Sequence, residues 1–301
     1  MSQHSVIPPL GACTWLWTAP FGDGDAGLAS RVGELGFDVL EVCVEDPSLV
    51  TAEALVAARE EAGVAYSVCG AFGPDRDLAH PDPGPPETAL RYIGELVDLA
   101  AAVGSPHICG PMYSAVGKAH LEDPDDRAAE RRRSVENLKR AAERAAASGI
   151  RLAIEPLNRY ETDMVNTVEQ GLELCDAVGA DNVGLLLDTY HMNIEEKSLG
   201  DAIRLAGQRV FHFHSCENDR GTPGTGHVPW SDVFAALAEI GYGHQVVIES
   251  FTPAVKEIAR AVSLWRPLDA AGDELASGGL RFLRSGLAAA WQPPAPRSAQ
   301  R

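Results

Sequence analysis

Apolar residues along this chain follow two alternating patterns. Short, nearly continuous runs rich in Val, Ile, Leu, Phe and Cys recur at Leu10 to Trp17, Val39 to Glu45, Ala65 to Phe72, His107 to Ser114, Arg151 to Leu157, Val183 to Met192, Val210 to Glu217 and His244 to Ser250. Their length and composition predict eight β-strands. Between them apolar residues return at spacings of three and four, predicting helices over Thr51 to Ala62, Pro86 to Val103, Asp126 to Ala147, Thr167 to Val178, Trp230 to Ile240 and Asp273 to Ala290. Gly36, Gly63, Gly104, Gly149, Gly179 and Gly241 each stand just before the next strand, where a helix C-terminus needs a residue that accepts a left-handed backbone. Alternating strands and helices imply parallel pairing with right-handed crossovers, and eight such units predict closure into a single (β/α)8 barrel over residues 1–290. An open doubly wound sheet is the rival, but no G-x-G-x-x-G follows the first strand. The Pro-rich end, 291–301, reads as a disordered tail.

Charge narrows the partners. With 25 Lys and Arg against 43 Asp and Glu, the chain carries a formal charge of −18. Such a surface repels phosphate backbones and anionic lipid, and the basic cluster Arg131 to Arg133 falls on a predicted helix. Neither nucleic acid nor a membrane is expected as a partner. No stretch approaches the roughly 18 apolar residues of a membrane span, and the N-terminus lacks the layout of a secretory signal, so a cytoplasmic location is expected. Cys13, Cys43, Cys69, Cys109, Cys175 and Cys216 form no C-x-x-C pair and read as buried free thiols rather than disulfides or a zinc site.

In a barrel the chemistry gathers where strands end. Strand five runs into AIEPLNRYE, bringing Glu155 and, just beyond it, Asn158 and Glu161. Strand six ends in GLLLDTYHMN, with Asp188 and His191 three apart. In VFHFHSCENDRG, alternation puts His212 and His214 on one face of strand seven and Phe211 and Phe213 on the other. Strand eight, QVVIESF, is an apolar run broken by Glu249. A carboxylate inside an apolar strand is costly unless it is paired, hydrogen-bonded or bound to a cation. Two Glu, one Asp and one His give three hard oxygen donors and one imidazole, a set suited to Mn²⁺, Mg²⁺ or Co²⁺ rather than to a structural zinc cage. An octahedral ion so held keeps two positions for a substrate with adjacent oxygens. His212 reads as a barrel-interior group supporting the site, and His227 as a group that structures its loop. The Gly-rich GTPGTG (221–226) matches no phosphate loop and reads as a tight turn before the helix at Trp230.

The segments IEPLNRYETDMVNT (154–167), LLLDTYHMNIEEK (185–197), HFHSCENDRGTPGTGHVPW (212–230) and VVIESFTP (246–253) resemble the ketose 3-epimerases, the group acting on D-tagatose, D-allulose and L-ribulose within the xylose-isomerase-like sugar isomerase/epimerase barrels. ICGPMYSAVGK (108–118) extends the likeness into the first half of the chain. The resemblance implies a divalent metal, Mn²⁺ first with Co²⁺ or Mg²⁺ as alternatives, held by Glu155, Asp188, His214 and Glu249. Glu155 and Glu249 would also be the acid/base pair. Glu161, His191 and Arg220 would contact substrate, and the carry-over extends to Cys69 and Gly110. The aromatic segment CTWLWTAPF (13–21) and the loops after strands three and four would cap the outer end of the sugar. A homodimer or homotetramer is implied as well.

The implied reaction interconverts D-allulose and D-fructose, D-tagatose and D-sorbose, or L-ribulose and L-xylulose. It removes the proton at C3, next to the C2 carbonyl, and returns one to the opposite face through a cis-enediolate. A metal stabilises the charge that develops on oxygen while two carboxylates exchange acid and base roles. The forked guanidinium of Arg220 suits a substrate oxygen or the enediolate, and His191 suits a substrate hydroxyl or the orientation of Asp188. An aldose–ketose isomerase, or a lyase on the same barrel (inosose dehydratase-like or a C-glycoside deglycosidase subunit), stays open from the ligand set alone. An endonuclease IV-type enzyme needs more histidines and a DNA-facing surface, which the charge of −18 opposes. A barrel that binds metal or sugar without turnover would have no reason to keep both glutamates.

Overall fold

The computed structural model describes residues 7–118, 123–251, 253–254, 256–267 and 272–291. The eight apolar runs form β1 (Leu10–Cys13), β2 (Val39–Val44), β3 (Ala65–Gly70), β4 (His107–Gly110), β5 (Arg151–Ile154), β6 (Val183–Asp188), β7 (Val210–Ser215) and β8 (Val246–Ile248). They pair in chain order, all parallel, and β8 returns to β1, with Ala12 opposite Ile248, to close the barrel. Closure leaves no free edge on the sheet. The expected (β/α)8 architecture is the one observed.

The surrounding helices are α1 (Leu28–Leu35), α2 (Ala52–Ala62), α3 (Gly84–Val103), α4 (Pro124–Ala147), α5 (Val168–Val178), α6 (Thr189–Glu195), α7 (Leu199–Ala206), α8 (Trp230–Glu239), α9 (Lys256–Ala261) and α10 (Asp273–Ala290). Side-chain caps start several of them. Thr51 accepts from the Ala54 N–H, and Thr167 with Gln170 forms a reciprocal capping box. All six glycines expected to stop helices have positive φ, between 66° and 94°. The helices bury one stripe each against the strands, as α3 does with Ile93, Leu96, Val97 and Ala100. Tyr92 on α3 donates to the Val44 carbonyl and accepts the Ala71 N–H at 2.8 Å, so one hydroxyl fastens the helix to the chain leaving β2 and β3.

The strands are shorter than their apolar runs. After Cys13 the chain turns into a 3₁₀ helix over Thr14–Leu16, and after Asp188 it enters α6 at once. The cause at β6 is local: Asp188 Oδ1 accepts the Tyr190 N–H at 2.7 Å and so caps α6. What reads as one run, Val183 to Met192, is therefore a strand followed by a helix. Helices α1, α6, α7 and α9 add to the sequence expectation. The tail expected over 291–301 falls, from residue 292 on, outside the described residues. All six cysteines are free and buried, as expected. No described helix is long and apolar enough to cross a membrane.

Candidate active site and metal centre

Register and strand ends assemble the site. Asp188 at the end of β6 lies directly opposite His214 on β7. His214 lies opposite Val247 on β8, so Glu249, two residues on, faces the same way. Glu155 follows the last residue of β5. One donor atom from each of Glu155, Asp188, His214 and Glu249 lies within 4.8 Å of the others, and all four residues are buried.

Electrostatics here are lopsided. Burial pushes the Glu155 carboxyl well above the usual carboxylate range, and the neighbouring Glu249 charge pushes it further. Burial also opposes ionisation of Glu249, but the neighbouring His214 and Arg220 more than offset it and hold Glu249 down to about 2. One carboxylate thus favours its protonated form while its partner favours its ionised form. Asp188 and Glu249 both contact the Arg220 guanidinium and Glu155 lies beside them, an acidic group that a divalent cation would further neutralise. His214 Nδ1 is buried without a hydrogen-bond partner, 3.3 Å from Glu249 Oε1 and 3.8 Å from Asp188 Oδ2. A buried lone pair aimed among carboxylates, in a set of three oxygen donors and one nitrogen, fits a divalent ion.

Arg220 Nη1 lies 2.7 Å from Asp188 Oδ2 and 2.6 Å from Glu249 Oε2. Its guanidinium sits between the rings of Tyr190 and Phe251, 4.1 and 5.1 Å from their centroids. The backbone there is left-handed, with φ 68°, and the Arg220 carbonyl accepts from the Ser250 hydroxyl. The expected turn, whose first residues follow Arg220, is organised by Glu217, a residue sequence reasoning passed over. Its carboxylate accepts from the N–H groups of Asn218, Gly224 and Val228 and from the Trp230 indole. His227, expected to structure this loop, has an exposed ring and joins the turn through its backbone N–H to Asn218. A carboxylate with four donors leaves the imidazole little to do.

His191 on α6 accepts the Asn158 N–H at Nδ1, 3.0 Å away, which places its ring proton on Nε2. Burial, then the Arg220 charge, lowers its pKa to about 3, so the ring is neutral. Nε2 lies 3.0 Å from Arg220 Nη2 and 3.7 Å from Glu155 Oε1. Two N–H donors thus face each other, and an oxygen acceptor between them would satisfy both. Of the two roles expected for His191, this geometry favours substrate contact. Asn158 also donates to Glu161 Oε1 at 2.7 Å, and burial raises the Glu161 pKa.

A cavity of about 380 Å³ opens over these groups. Glu155, Glu161, His191, Arg220 and Glu249 form its polar floor, and Trp15, Phe72 and Phe251 are the aromatic part of its wall. Of the aromatic segment expected to cap the sugar, Trp15 lines the cavity, whereas Trp17 bonds Asp273 and Phe21 is in the core. Cys69 touches the cavity; Gly110 does not line it. Gly110 has φ 127°, and a Cβ there would lie 2.8 Å from the Gly70 carbonyl, so its requirement is backbone conformation. A groove of about 640 Å³ on the outer face beside α3 shares none of the candidate residues.

A second residue passed over in the sequence is Glu41, in the middle of β2 and fully buried. Its Oε2 lies 2.7 Å from His212 Nε2 and accepts from Ser67 Oγ at 2.9 Å, and its Oε1 lies 2.8 Å from His214 Nε2. Burial opposes its ionisation, but His214 and His212 hold its pKa well below the usual range. His212 is thus a barrel-interior support, as expected. The signal was available, since VLEVCV carries a glutamate inside an apolar strand just as QVVIESF does.

The profile of the Xylose isomerase-like TIM barrel matches residues 29–285. A ketose 3-epimerase of Arthrobacter globiformis is 33% identical over 283 residues, covering 93% of this chain and 97% of that protein. A D-psicose 3-epimerase of Ruminiclostridium cellulolyticum is 33% identical over 247 residues, covering 81% and 84%. A solved D-allulose 3-epimerase from Methylomonas sp., in complex with D-allulose, superposes with a TM-score of 0.87 at 29% identity over 93% of this chain and 97% of that one. The chain belongs to the xylose isomerase-like TIM-barrel family and, within it, to the ketose 3-epimerases.

Proposed function

We propose that this protein epimerises free ketoses at C3, with Glu155 and Glu249 as the acid/base pair and Glu155, Asp188, His214 and Glu249 as the ligands of a divalent cation. One observation carries the reading: two buried carboxylates, Glu155 and Glu249, line one cavity and offer donor atoms within 4.8 Å of those of Asp188 and His214. A cation bound there would supply Lewis acidity, stabilising negative charge on the substrate oxygens.

The chain's own groups supply the rest. β5 and β8 are three positions apart around the eight-strand ring, so Glu155 and Glu249 reach a central sugar from well-separated directions. One carboxylate takes the C3 proton, and the C3–H electron pair becomes the C2–C3 double bond of the enediolate as the C2 carbonyl electrons move onto oxygen. The other, carrying a proton, delivers it to the opposite face of C3. The pair ends with its proton exchanged and runs equally well in reverse. Arg220 and His191 supply N–H donors for a substrate oxygen, and Glu161 accepts from a hydroxyl. The apolar wall at Trp15, Phe72 and Phe251 excludes water from the carbanion-like intermediate.

Mn²⁺ is the proposed ion, with Co²⁺ or Mg²⁺ as substitutes; a cytoplasmic homodimer or homotetramer is the proposed working form. The three hard oxygen donors and single imidazole support the ion, and the relatives' activities support a ketose substrate. The test is incubation of Mn²⁺-loaded protein with D-fructose, D-allulose, D-tagatose and L-ribulose in D₂O. Deuterium at C3 with formation of the C3 epimer is expected. Exchange at C1 with an aldose product, or loss of water, would overturn the reading.

A further inference from the structure

The carboxylate on β2 has no place in the acid/base chemistry, yet it touches a ligand of the proposed metal centre. Glu41 is fully buried, and β2 and β7 lie on either side of the β8–β1 pair, so the side chain reaches across the barrel interior. Its two oxygens are divided between two histidines, with Oε1 2.8 Å from His214 Nε2 and Oε2 2.7 Å from His212 Nε2. Ser67 and, at 3.6 Å, Cys109 complete the shell around Oε2, leaving Oε1 to His214.

An ionised carboxylate only accepts hydrogen bonds. Its contact with His214 therefore requires the ring proton on Nε2, which leaves Nδ1 as a lone pair. That nitrogen has no hydrogen-bond partner and points between Glu249 and Asp188. His212 shares this arrangement, with Nε2 against Glu41 and Nδ1 unpartnered, but its ring packs tilted at 4.4 Å on His107 and lies outside the group formed by Glu155, Asp188, His214 and Glu249. We infer that Glu41 is a positioning residue for the metal centre: its buried carboxylate fixes the tautomer and angle of His214 and raises the donor strength of Nδ1. The inference rests on the proposed ligand set. It places the origin of metal affinity partly on β2, three strands away from the nearest carboxylate ligand strand in one direction and two from β8 in the other.

The test strips wild-type protein and Glu41→Gln with chelator, then titrates each with Mn²⁺, following free aqueous Mn²⁺ by electron paramagnetic resonance, and with Co²⁺ and Mg²⁺ by calorimetry. Glutamine keeps the shape but loses the charge, and the expected loss of Mn²⁺ affinity is about 10- to 100-fold. Because the effect passes through an imidazole nitrogen, affinity for Co²⁺ should fall more than affinity for the oxygen-preferring Mg²⁺. Wild-type affinity in the variant, or equal losses for all three ions, would overturn the inference while leaving the ligand set intact. Absence of binding in the wild type would overturn both. Should Glu41→Gln fail to fold, ¹⁵N-histidine spectra of Mg²⁺-loaded wild type decide: a proton on His214 Nε2 is expected, and a proton on Nδ1 with Nε2 as ligand refutes the inference.

Discussion

Replacing Arg220 with methionine removes the cation from the centre of the site while keeping an apolar stem between Tyr190 and Phe251. In the native protein Arg220 Nη1 lies within 2.7 Å of Asp188 and 2.6 Å of Glu249, and all three side chains are at most 8% exposed. Breaking a buried ion pair from one side costs about 3–5 kcal/mol, since the remaining charge stays desolvated. For a domain of this size that corresponds to a fall of roughly 6–20 °C in Tm. A divalent ion placed among the same carboxylates replaces the missing positive charge. Thermal melts in chelator should therefore show the full deficit, and melts in excess Mn²⁺ should show a smaller one, because the ion relieves in the variant a charge imbalance that Arg220 already relieves in the native protein. Lowering the pH to about 5 in chelator should also narrow the gap, as protonation relieves the unpaired carboxylates. Identical deficits with and without Mn²⁺ would refute the argument that guanidinium and metal neutralise one shared set of charges. The variant's turnover, measured with metal present, should fall about 10²–10³-fold through loss of the donors facing the substrate.

Other outcomes follow from the same geometry. Glu249→Gln should abolish C3 deuterium exchange, a loss of at least 10²–10⁴-fold, and unchanged exchange by NMR would remove Glu249 from the acid/base pair. Metal uptake should release protons, because Glu155 is displaced upward and must be deprotonated as a ligand; Mn²⁺ affinity should therefore rise with pH, as calorimetry in buffers of different ionisation enthalpy will show. Glu155, raised in the folded state, makes metal-free protein less stable as pH climbs from its unfolded value through its folded one. Glu249, depressed to about 2, contributes stability that is present above about 4.5 and lost as pH falls toward 2. Tyr92→Phe leaves the Val44 carbonyl and Ala71 N–H unpaired and should cost about 1–3 kcal/mol by denaturant titration. Gly110→Ala forces a Cβ to 2.8 Å from the Gly70 carbonyl at a φ of 127°, and a loss of about 1–3 kcal/mol or more is expected by the same assay.

The barrel was legible because each βα unit writes its own punctuation: an apolar run, a capped amphipathic stretch and a glycine such as Gly63 or Gly179 at the turn. The strand ends were not, because residues beyond the hydrogen-bonded ladder still face the apolar mouth and keep a strand-like composition, as Thr14 to Leu16 and Thr189 to Met192 do. The candidate ligands stood out as three carboxylates and a histidine within hydrophobic runs, and the structure brings all four together. Glu41 carries the same mark but sits mid-strand rather than at a strand end, so a search confined to the barrel mouth passes over it. The cavity wall left no mark at all. Trp15, Phe72 and Phe251 differ from core aromatics only in which way the loops carry them.

The unbroken ring of strands has a consequence for how the protein keeps its ion. The four candidate ligands come from four strands already locked to both neighbours by backbone pairing, and Arg220 holds two of their carboxylates in place. Folding is thus expected to precede loading, unlike small metal-organised domains that collapse when stripped. An ion bound there would be an exchangeable part seated in a finished socket: stripping and reloading should leave the protein intact, and the occupant should follow the surrounding supply of cations rather than the history of the chain.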